Sequence, residues 1–304
     1  MSANSRYADW IAVDWGTSNC RAWAMSAAGE ALATAQSGRG MGTLAPAEFE
    51  PALLEMIEPW LGAERMTVVA CGMVGSRQGW TEAPYRTAPC APLGRDPVRA
   101  PASDPRIEVH IVAGVKQTNP ADVMRGEETQ IAGFLHHTPD FDGVLCLPGT
   151  HTKWAQISAG EIVSFATFMT GEMLSSLSKH TVLRHSVGKG WDDDAFAEAV
   201  SAVISKPETL ARRLFSLRAE GLLSGLGGAA ARAGLSGSLI GAELAASRPY
   251  WLGQKIALIG APALCDIYQR ALALQGAPAE VADGADMTLS GLKAAYAQLK
   301  ETAT

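Results

Sequence analysis

Cysteine is scarce in this chain, and the few copies present are scattered. The 304 residues contain five cysteines and no C-x-x-C pair, so the sequence predicts neither a structural zinc site nor a disulfide framework. No apolar stretch reaches the ~18 residues that a membrane span needs. The first ten residues, MSANSRYADW, lack the basic segment and the apolar run of a signal peptide, so we expect a cytoplasmic protein without a secretory leader. The cysteines are Cys20, Cys71, Cys90, Cys146 and Cys265.

Positive charge is also in short supply. The formal net charge is −6, and no basic cluster with interleaved aromatic residues is present. Binding to nucleic acid or to an anionic membrane requires an excess of Lys and Arg, because the phosphates must be neutralised. The sequence therefore excludes both kinds of partner and favours a small-molecule ligand.

The common catalytic motifs are missing as well. The chain has no G-x-x-x-x-G-K-[ST], G-x-G-x-x-G, G-x-S-x-G or H-E-x-x-H, which excludes the usual P-loop, Rossmann, serine-hydrolase and zinc-protease routes. The adjacent His136 and His137 have no carboxylate or cysteine at ligand spacing. Their position favours stabilisation of a helix C-terminus over metal binding.

One pattern occurs twice in the chain. WIAVDWGTSNCRAWAMSAAGEALATA and CLPGTHTKWAQISAGEIVSFA both read as strand, Gly-Thr turn, strand, Gly-Glu turn and strand. Trp23 precedes Gly29 by the same interval that separates Trp154 from Gly160, and only the first turn differs in length. The repetition indicates a duplicated three-strand unit.

Hydrophobic periodicity and length predict an α/β fold of two domains, each built on a mixed sheet that contains one of these meanders. We place the boundary near residue 115, which gives domains 1–115 and 116–304. The predicted strand segments are 10–36, 66–73, 107–115, 143–168 and 255–260. The predicted helices are 46–58, 121–137, 171–183, 193–204, 208–219, 239–247, 261–274 and 287–300.

The first Gly-Thr turn has the composition of an anion-binding loop. Gly16 allows close approach of the backbone to a ligand, and the hydroxyls of Thr17 and Ser18 add donors to successive N–H groups. Asp14, at the end of the preceding strand, is placed to hold Mg²⁺, which prefers one or two carboxylates together with phosphate oxygens. A plain hairpin turn is the structural alternative.

The second turn repeats these donors in Gly149, Thr150 and Thr152, with Lys153 beside them. Two such turns facing each other across a cleft would hold the phosphates of a nucleotide from both sides. The presence of two copies favours phosphate binding over a chance turn composition.

Six short sequence segments between residue 13 and about residue 244 match a known family. On them the chain resembles the actin, sugar kinase and Hsp70 superfamily and, within it, the 2-dehydro-3-deoxygalactonokinase family. The resemblance implies two ribonuclease-H-like domains with mixed sheets flanking an interdomain cleft for ATP and Mg²⁺. It also implies phosphorylation of 2-dehydro-3-deoxy-D-galactonate at its terminal hydroxyl, in galactonate breakdown. The strings are VDWGTSNCRAW, GMVGSRQGWTEAPY, DVMRGEETQIAGFL, LPGTHTKW, FMTGEML and LSGSLIGAEL.

The resemblance carries over to single positions. One departure is that many members have an acidic residue where this chain has Leu147-Pro148, which leaves Asp14 as the main metal carboxylate. The matching residues are Asp14, Gly16, Thr17 and Ser18 for the first phosphate motif, Gly149, Thr150 and Thr152 for the second, and Gly260, Ala261 and Pro262 for the turn that contacts adenosine.

A general base is expected at the start of a helix. Many sugar kinases of the superfamily have an Asp just after a Gly, and Gly126-Glu127-Glu128 occupies the equivalent stretch here. Phosphoryl transfer to a hydroxyl needs a proton acceptor, so we assign Glu127 as the base with Glu128 as its alternate. The competing interpretation is that acidic residues simply favour a first helical turn.

The segment from Gly75 to Tyr85 predicts the acceptor pocket. An arginine can pair with the carboxylate of a sugar acid, and aromatic rings can stack on its carbon skeleton. An ordinary surface loop is the alternative. Thr170-Gly171-Glu172 opens a helix and could either cap it or reach the cleft, and we favour Thr170 as a cap. The pocket candidates are Arg77, Trp80, Glu82 and Tyr85, with Arg21 and Arg125 as rival cations.

Two further hypotheses remain open at this point. The same fold could phosphorylate another sugar or sugar acid, such as the gluconate-derived epimer, because one inverted hydroxyl changes only a hydrogen bond or two. Alternatively, the chain could be a non-catalytic nucleotide-binding regulator, although Glu127 and the paired turns favour catalysis. The sequence also leaves a homo-oligomer open.

Overall fold

The computed structural model describes residues 8–302. The expectation that no signal peptide is present falls largely on residues outside this range. Three sheets are present in the described part, with the strand orders β3-β2-β1-β4-β7-β6, β12-β11-β10-β13-β14 and β5-β8-β9. The strands are β1 (Trp10–Trp15), β2 (Cys20–Met25), β3 (Ala31–Ser37), β4 (Met66–Gly72), β5 (Arg86–Thr87), β6 (Val98–Arg99), β7 (Ile107–Ile111), β8 (Val115–Thr118), β9 (Ala121–Met124), β10 (Gly143–Leu147), β11 (Thr152–Ser158), β12 (Glu161–Phe168), β13 (Ile256–Gly260) and β14 (Ala279–Asp283).

Helices alternate with these strands, which confirms the α/β class. None of the helices within residues 8–302 combines the length and apolarity needed to cross a bilayer. The α-helices are α1 (Phe49–Ile57), α2 (Glu127–His137), α3 (Thr170–His180), α4 (Asp193–Ser205), α5 (Leu210–Leu223), α6 (Gly228–Ala246), α7 (Arg248–Trp251), α8 (Pro262–Ala273) and α9 (Gly284–Thr302). Short 3₁₀ turns occupy Met41–Thr43, Pro46–Glu48, Glu58–Trp60, Met73–Gly75, Val182–His185 and Pro207–Thr209.

The two duplicated units have the same sheet topology. β1 pairs antiparallel with β2, where Ala12 lies opposite Trp23, and parallel with β4. β10 pairs antiparallel with β11, where Cys146 lies opposite Trp154, and parallel with β13. In each sheet the central strand is an almost continuous apolar run, as expected for a strand covered on both faces. The predicted repetition is confirmed at the level of hydrogen-bonded register.

Two helices distant in sequence pack through glycine. A Cβ on Gly133 of α2 would lie 1.9 Å from the carbonyl oxygen of Met287 in α9, and a Cβ on Gly291 of α9 would lie 1.9 Å from the carbonyl oxygen of Thr129. Neither position has room for a larger residue, so both glycines are required for this backbone contact. α9 also packs on β1 and β4 and thereby fixes α2 relative to the first sheet.

The predicted helix over 121–137 is wrong in its first part. Residues Ala121–Met124 form β9, which pairs antiparallel with β8, and the helix begins only at Glu127. Gly126 between them has φ 105, a conformation that ends the strand and does not continue a helix. The predicted helix over 239–247 is the second half of the longer α6, and β8 and β14 were not predicted.

Two compact units make up the chain. The first contains the chain up to Phe141, Ser158–Ser164 and the segment from Gly284 onward, and the second contains Asp142–Ile157 and Phe165–Asp283. The predicted boundary near residue 115 differs from this division because α2 and α9 pack with each other and α9 packs on the first sheet. As a boundary between folding domains, residue 115 stays a prediction.

Candidate active site

The first Gly-Thr turn joins β1 to β2 and is supported from behind by a neighbouring segment. The N–H of Met41 donates to the Gly16 carbonyl at 3.0 Å, and the N–H of Gly42 donates to the Thr17 carbonyl at 2.9 Å. The side chains of Thr17 and Ser18 are exposed. The turn therefore has its carbonyls held by the protein and its hydroxyls on the outer side, as an anion-binding loop requires.

A glycine packs directly on this turn. A Cβ on Gly40 would lie 2.3 Å from the carbonyl carbon of Ser18 and 2.4 Å from the carbonyl oxygen of Thr17. Any side chain at Gly40 would displace the turn, so the position is sterically restricted to glycine.

Asp14 is paired across the hairpin with Arg21. Arg21 Nη2 lies 2.6 Å from Asp14 Oδ2, while Asp14 Oδ1 lies 3.9 Å from Cys71 Sγ. The Arg21 guanidinium therefore positions Asp14, the candidate metal ligand, and is already engaged by this carboxylate. It also lies 5.5 Å from the centroid of the Trp23 ring. Its predicted role as a substrate ligand is not favoured by this pairing.

The donor set around Asp14 fits a magnesium ion carried by phosphates. Its side chain is 21 % exposed, and the described residues contain no group of three or more His, Cys, Asp or Glu that could hold a metal ion. Mg²⁺ typically keeps several waters and binds one or two carboxylates together with substrate phosphates, which is a set that a single half-exposed aspartate can complete.

The helix that carries the predicted base begins beside the same strand ends. A Cβ on Gly126, the N-cap of α2, would lie 3.3 Å from the Cα of Gly72, the last residue of β4. Gly72 in turn lies opposite Trp15 in the parallel pair of β4 and β1. Glu127 and Glu128, in the first turn of α2, therefore lie next to the C-terminal ends of β1 and β4, where Asp14 is located.

These two glutamates have different environments. Glu128 is fully buried, and its carboxylate accepts the N–H of Gly126 at 2.7 Å and the hydroxyl of Thr129 at 3.0 Å. Burial, and secondly the charge of Glu127, raise the pKa of Glu128 to about 7. Glu127 is only half-buried and accepts the N–H of Arg125 at 3.0 Å. Accessibility favours Glu127 as the residue that meets a substrate.

The predicted acceptor loop divides into exposed and buried residues. Arg77 and Glu82 lie at the surface. Trp80 is 8 % exposed, its indole N–H donates to the Pro101 carbonyl at 3.0 Å, and its ring packs against Phe49. The indole is part of the core of the first unit, and its burial does not favour the predicted stacking on a substrate.

Tyr85, predicted to stack on the substrate, lies beside Arg125, one of the two rival cations. The guanidinium carbon of Arg125 is 4.2 Å from the centroid of the Tyr85 ring, and Arg125 Nη2 donates to the Ala83 carbonyl at 2.7 Å. The structure thus connects the acceptor loop to the residue that immediately precedes Gly126.

The second Gly-Thr turn is also supported by a glycine. A Cβ on Gly171, near the start of α3, would lie 2.2 Å from the carbonyl oxygen of Gly149. The N–H of Glu172 donates to the Thr150 carbonyl at 2.9 Å, and the Glu172 carboxylate pairs with His151 Nε2 at 2.6 Å. The side chain of Thr150 is exposed, which leaves its hydroxyl accessible to a ligand.

Thr152 and Lys153 are buried, unlike Thr150. The Thr152 hydroxyl lies 2.8 Å from the hydroxyl of Tyr268 and is fully buried. Its engagement inside the unit does not favour the predicted contact with phosphate. Lys153 is 5 % exposed and stands opposite Leu147 in the hairpin.

A buried glutamate lies behind this turn. Glu243 accepts hydrogen bonds from the Trp154 indole and the Tyr268 hydroxyl, both at 2.8 Å, and from the Thr170 hydroxyl. Since Tyr268 donates to Glu243, Thr152 donates to Tyr268. Burial outweighs these donors and raises the pKa of Glu243 to about 7.

Sequence reasoning assigned no role to Glu243 or Tyr268. Glu243 lies within the string LSGSLIGAEL and could have been singled out as the acidic residue of an otherwise apolar, small-residue helix. Tyr268 carries no local signal beyond helical periodicity. The interpretation of Thr170 as a cap is wrong, because the N-cap is Met169 without a side-chain hydrogen bond, and the Thr170 hydroxyl donates to Glu243.

The predicted adenosine turn adjoins the second Gly-Thr turn. Gly260 ends β13, and a Cβ there would lie 3.2 Å from the Pro148 carbonyl oxygen. Ala261 is the N-cap of α8 and Pro262 its first residue, both exposed. The predicted residues thus form two groups, one in each unit, and their joining around one nucleotide stays a prediction.

Comparison with known proteins identifies the family. A family model described as 2-keto-3-deoxy-galactonokinase matches residues 14–295. The 2-dehydro-3-deoxygalactonokinase of Escherichia coli (strain K12) is 33% identical over 295 residues, covering 94% of this chain and 97% of the relative. A Rhizobium meliloti (strain 1021) protein, named "Probable 2-dehydro-3-deoxygalactonokinase", is 37% identical over 294 residues, covering 94% and 96%.

A solved structure gives the same result. A Sinorhizobium meliloti protein, whose name also refers to 2-dehydro-3-deoxygalactonokinase, superposes with a TM-score of 0.87 at 36% identity, covering 94% of this chain and 97% of that one. The match confirms the predicted kinase fold. From the family model and these relatives, the chain belongs to the 2-keto-3-deoxy-galactonokinase family.

Proposed function

We propose that this protein transfers the γ-phosphate of ATP to the terminal hydroxyl of 2-dehydro-3-deoxy-D-galactonate and forms the 6-phosphate, a step of galactonate breakdown. Family membership supports the kinase activity and the class of acceptor. The structural observation behind the proposal is the packing of Gly126 on Gly72, because it places the glutamate pair beside the strand end with Asp14 and the Gly16 turn.

Each Gly-Thr turn contributes donors to the phosphates. Thr17 and Ser18 offer exposed hydroxyls together with their backbone N–H groups, whereas the Gly16 N–H donates to the Asn19 carbonyl at 2.8 Å. In the second unit, Gly149 and Thr150 offer backbone N–H groups, and Thr150 adds an exposed hydroxyl. The exposed N-terminus of α8 at 261–262 adds a positive dipole end next to the second turn.

Mg²⁺ bound with ATP would be held by Asp14 and would neutralise charge on the transferring phosphoryl group. Asp14 keeps its position through Arg21, whose guanidinium fixes one carboxylate oxygen.

Glu127 removes the proton of the attacking hydroxyl. As the sugar oxygen forms its bond to the γ-phosphorus and the bond to the ADP oxygen breaks, the hydroxyl proton passes to the Glu127 carboxylate. The N–H of Arg125 donates to that carboxylate at 3.0 Å and orients it.

The test is Mg²⁺-dependent release of ADP, measured with no acceptor and with a panel of 2-keto-3-deoxy sugar acids. We expect release to depend on 2-dehydro-3-deoxy-D-galactonate and the product to carry phosphate at the terminal oxygen. Turnover only with the gluconate-derived epimer would correct the acceptor. Release that ignores every acid would refute the proposal.

Glu127→Gln tests the base. We expect kcat to fall about 10²- to 10⁴-fold, because the hydroxyl loses its proton acceptor, with ADP binding unchanged. Glu128→Gln is the matched comparison, since it makes the same substitution at a fully buried neighbour. A larger loss of kcat in Glu128→Gln than in Glu127→Gln would move the assignment to Glu128. Cytoplasmic location and a homo-oligomer stay predictions.

A further inference from the structure

Arg125 is a buried arginine with an incomplete set of partners. Its side chain is 8 % exposed. Nη2 donates to the Ala83 carbonyl and the plane lies over the Tyr85 ring, but Nε and Nη1 make no hydrogen bond within residues 8–302. Both atoms are shielded from solvent.

Burial of an arginine in this way is unfavourable unless an anion accompanies it. The guanidinium stays charged at any physiological pH, and a buried charge without a counter-charge destabilises the fold. Arg106, in the same unit, shows the usual arrangement, since it pairs with Asp104 and Glu58 at 2.8 and 3.0 Å. Among the described residues, no carboxylate forms an ion pair with Arg125.

One of the unpaired donors, Nη1, lies against the acceptor loop. A Cβ on Gly75 would lie 2.9 Å from Arg125 Nη1, so the guanidinium touches the loop backbone there. The next residue, Ser76, is also buried, and its hydroxyl makes no hydrogen bond within the described chain. Two unpartnered polar groups thus belong to one small region.

The same region carries the proposed base. Arg125 directly precedes Gly126, and its backbone N–H donates to the Glu127 carboxylate at 3.0 Å. A ligand held by the Arg125 side chain would therefore be held by the segment that positions Glu127. A sugar acid has the two matching groups: a carboxylate at one end and a hydroxyl to be deprotonated at the other.

We propose that Arg125, assisted by the Ser76 hydroxyl, binds the carboxylate of the acid acceptor and makes the enzyme selective for acids over neutral sugars. The inference rests on the proposed function. An acceptor without the carboxylate leaves the buried guanidinium unpaired and is rejected for that reason. Exposed Arg77, the residue first expected in this role, is then dispensable for selectivity.

The test compares two acceptors in wild type, Arg125→Lys and Arg125→Met. One acceptor is 2-dehydro-3-deoxy-D-galactonate, and the other is its neutral analogue with the carboxylate reduced to an alcohol. We expect Arg125→Met to lower kcat/KM for the acid by roughly 100-fold, mainly through KM, because a charge-assisted hydrogen-bonded pair is lost. The neutral analogue should change little, and Arg125→Lys should recover part of the preference.

A stability readout separates recognition from a structural role. If Arg125 is kept for an external anion, Arg125→Met should have a Tm equal to or above that of the wild type, since it removes an unpaired buried charge. The matched control Arg106→Met breaks two ion pairs and should lower Tm while leaving acid selectivity intact.

The outcomes distinguish this inference from the proposed function. A wild type that phosphorylates no acid refutes the proposed function itself. A wild type that prefers the acid, with Arg125→Lys and Arg125→Met keeping that preference, refutes only the assignment of Arg125. Loss of the preference in Arg77→Ala but not in Arg125→Met would likewise overturn it.

Discussion

The two Gly-Thr turns are supported by the protein in the same way. Gly40 packs on the backbone of the first turn, and Gly171 packs on the backbone of the second, at distances that admit no side chain. In both, the N–H of the residue that follows the glycine donates to a turn carbonyl, from Met41 in the first and from Glu172 in the second. These supporting segments lie outside the duplicated meanders, so the constraint on the turns reaches beyond the repeat.

Their charges are arranged differently. In the first hairpin Asp14 stands opposite Arg21, half-exposed, whereas in the second Leu147 stands opposite Lys153, which is buried. Glu243, a buried acid of the second unit, lies behind the turn in a hydrogen-bonded network. Similar backbones thus lie beside two carboxylates of different accessibility: an accessible carboxylate suits a hydrated metal ion, and a buried one suits the fixing of a turn.

The largest effect is expected at Asp14, the accessible carboxylate that distinguishes the first hairpin from the second. Asp14→Asn removes the accessible charge and should lower kcat with MgATP by roughly 10²- to 10³-fold, because charge neutralisation at the phosphates is lost. The Mg²⁺ concentration for half-maximal rate should rise. Asp9→Asn is the control, since Asp9 accepts the Ala27 N–H at 2.6 Å before β1 and an amide oxygen can do the same. An unaltered Mg²⁺ dependence in Asp14→Asn would contradict the contrast.

The second prediction concerns the buried acid. The folded state raises the pKa of Glu243 from 4.5 to about 7, so the folded protein holds this proton more tightly than the unfolded chain. The free energy of unfolding therefore falls as pH rises from about 4.5 to 7. Above pH 7 the full cost is about 3 kcal/mol, since one pKa unit corresponds to 1.36 kcal/mol.

Glu243→Gln should remove this pH dependence, because the amide stays neutral and retains most of the network. Denaturant unfolding at pH 5 and pH 8 measures it: we expect the variant to gain stability relative to the wild type at pH 8 but not at pH 5. Glu128→Gln supplies a comparison in the first unit, where burial and the Glu127 charge raise the pKa of Glu128 to about 7. Equal slopes for wild type and Glu243→Gln would refute the prediction.

The third prediction tests the feature that both turns share, a glycine packed on the turn backbone. Gly171→Ala places a Cβ 2.2 Å from the Gly149 carbonyl oxygen, and Gly40→Ala places one 2.3 Å from the carbonyl carbon of Ser18. Each should cost about 2 kcal/mol of folding free energy, as overpacking does, and should raise KM for ATP. Gly38→Ala has no atom within 4 Å and should change neither quantity. Wild-type ATP affinity in both variants would show that the turns tolerate displacement.

The smallest expected effect is at the surface of the second turn. Glu172→Gln replaces the carboxylate that lies 2.6 Å from His151 Nε2, and both side chains are 45% exposed. Exposed pairs contribute little because water screens them, so the loss should stay below about 0.5 kcal/mol. Thermal unfolding measures it, and a fall in Tm of many degrees would mean that the pair fixes the turn.

Local patterns in the sequence predicted what depends on local order. The hairpins with Asp14 and Gly149 and the strand-to-helix turn at Gly260 follow from apolar runs and turn residues, and the structure contains all three. The prediction failed at β9, because pairing with β8 overrides the helical composition of 121–124. Gly126, with φ 105, then separates this strand from the helix that follows.

Long-range contacts account for what sequence reasoning missed. Tyr268 meets Thr152 across 116 residues of chain, and no spacing rule connects them. The burial of Trp80 and of Arg125 likewise depends on neighbours from other segments, Pro101 in one case and Ala83 in the other. The residue types at the site were predictable, but which of them are accessible was not.

The glycine contact between α2 and α9 has a consequence for how the protein is made. Gln130 Nε2 donates to the Thr288 hydroxyl, which lies 158 residues later in the chain. The partner of α2 is therefore synthesised only after the residues of the second unit. Until then, the face of α2 around Gly133 is uncovered. The first unit is thus completed only after the residues of the second have been synthesised, and α2, which carries Glu127, packs on α9 only then.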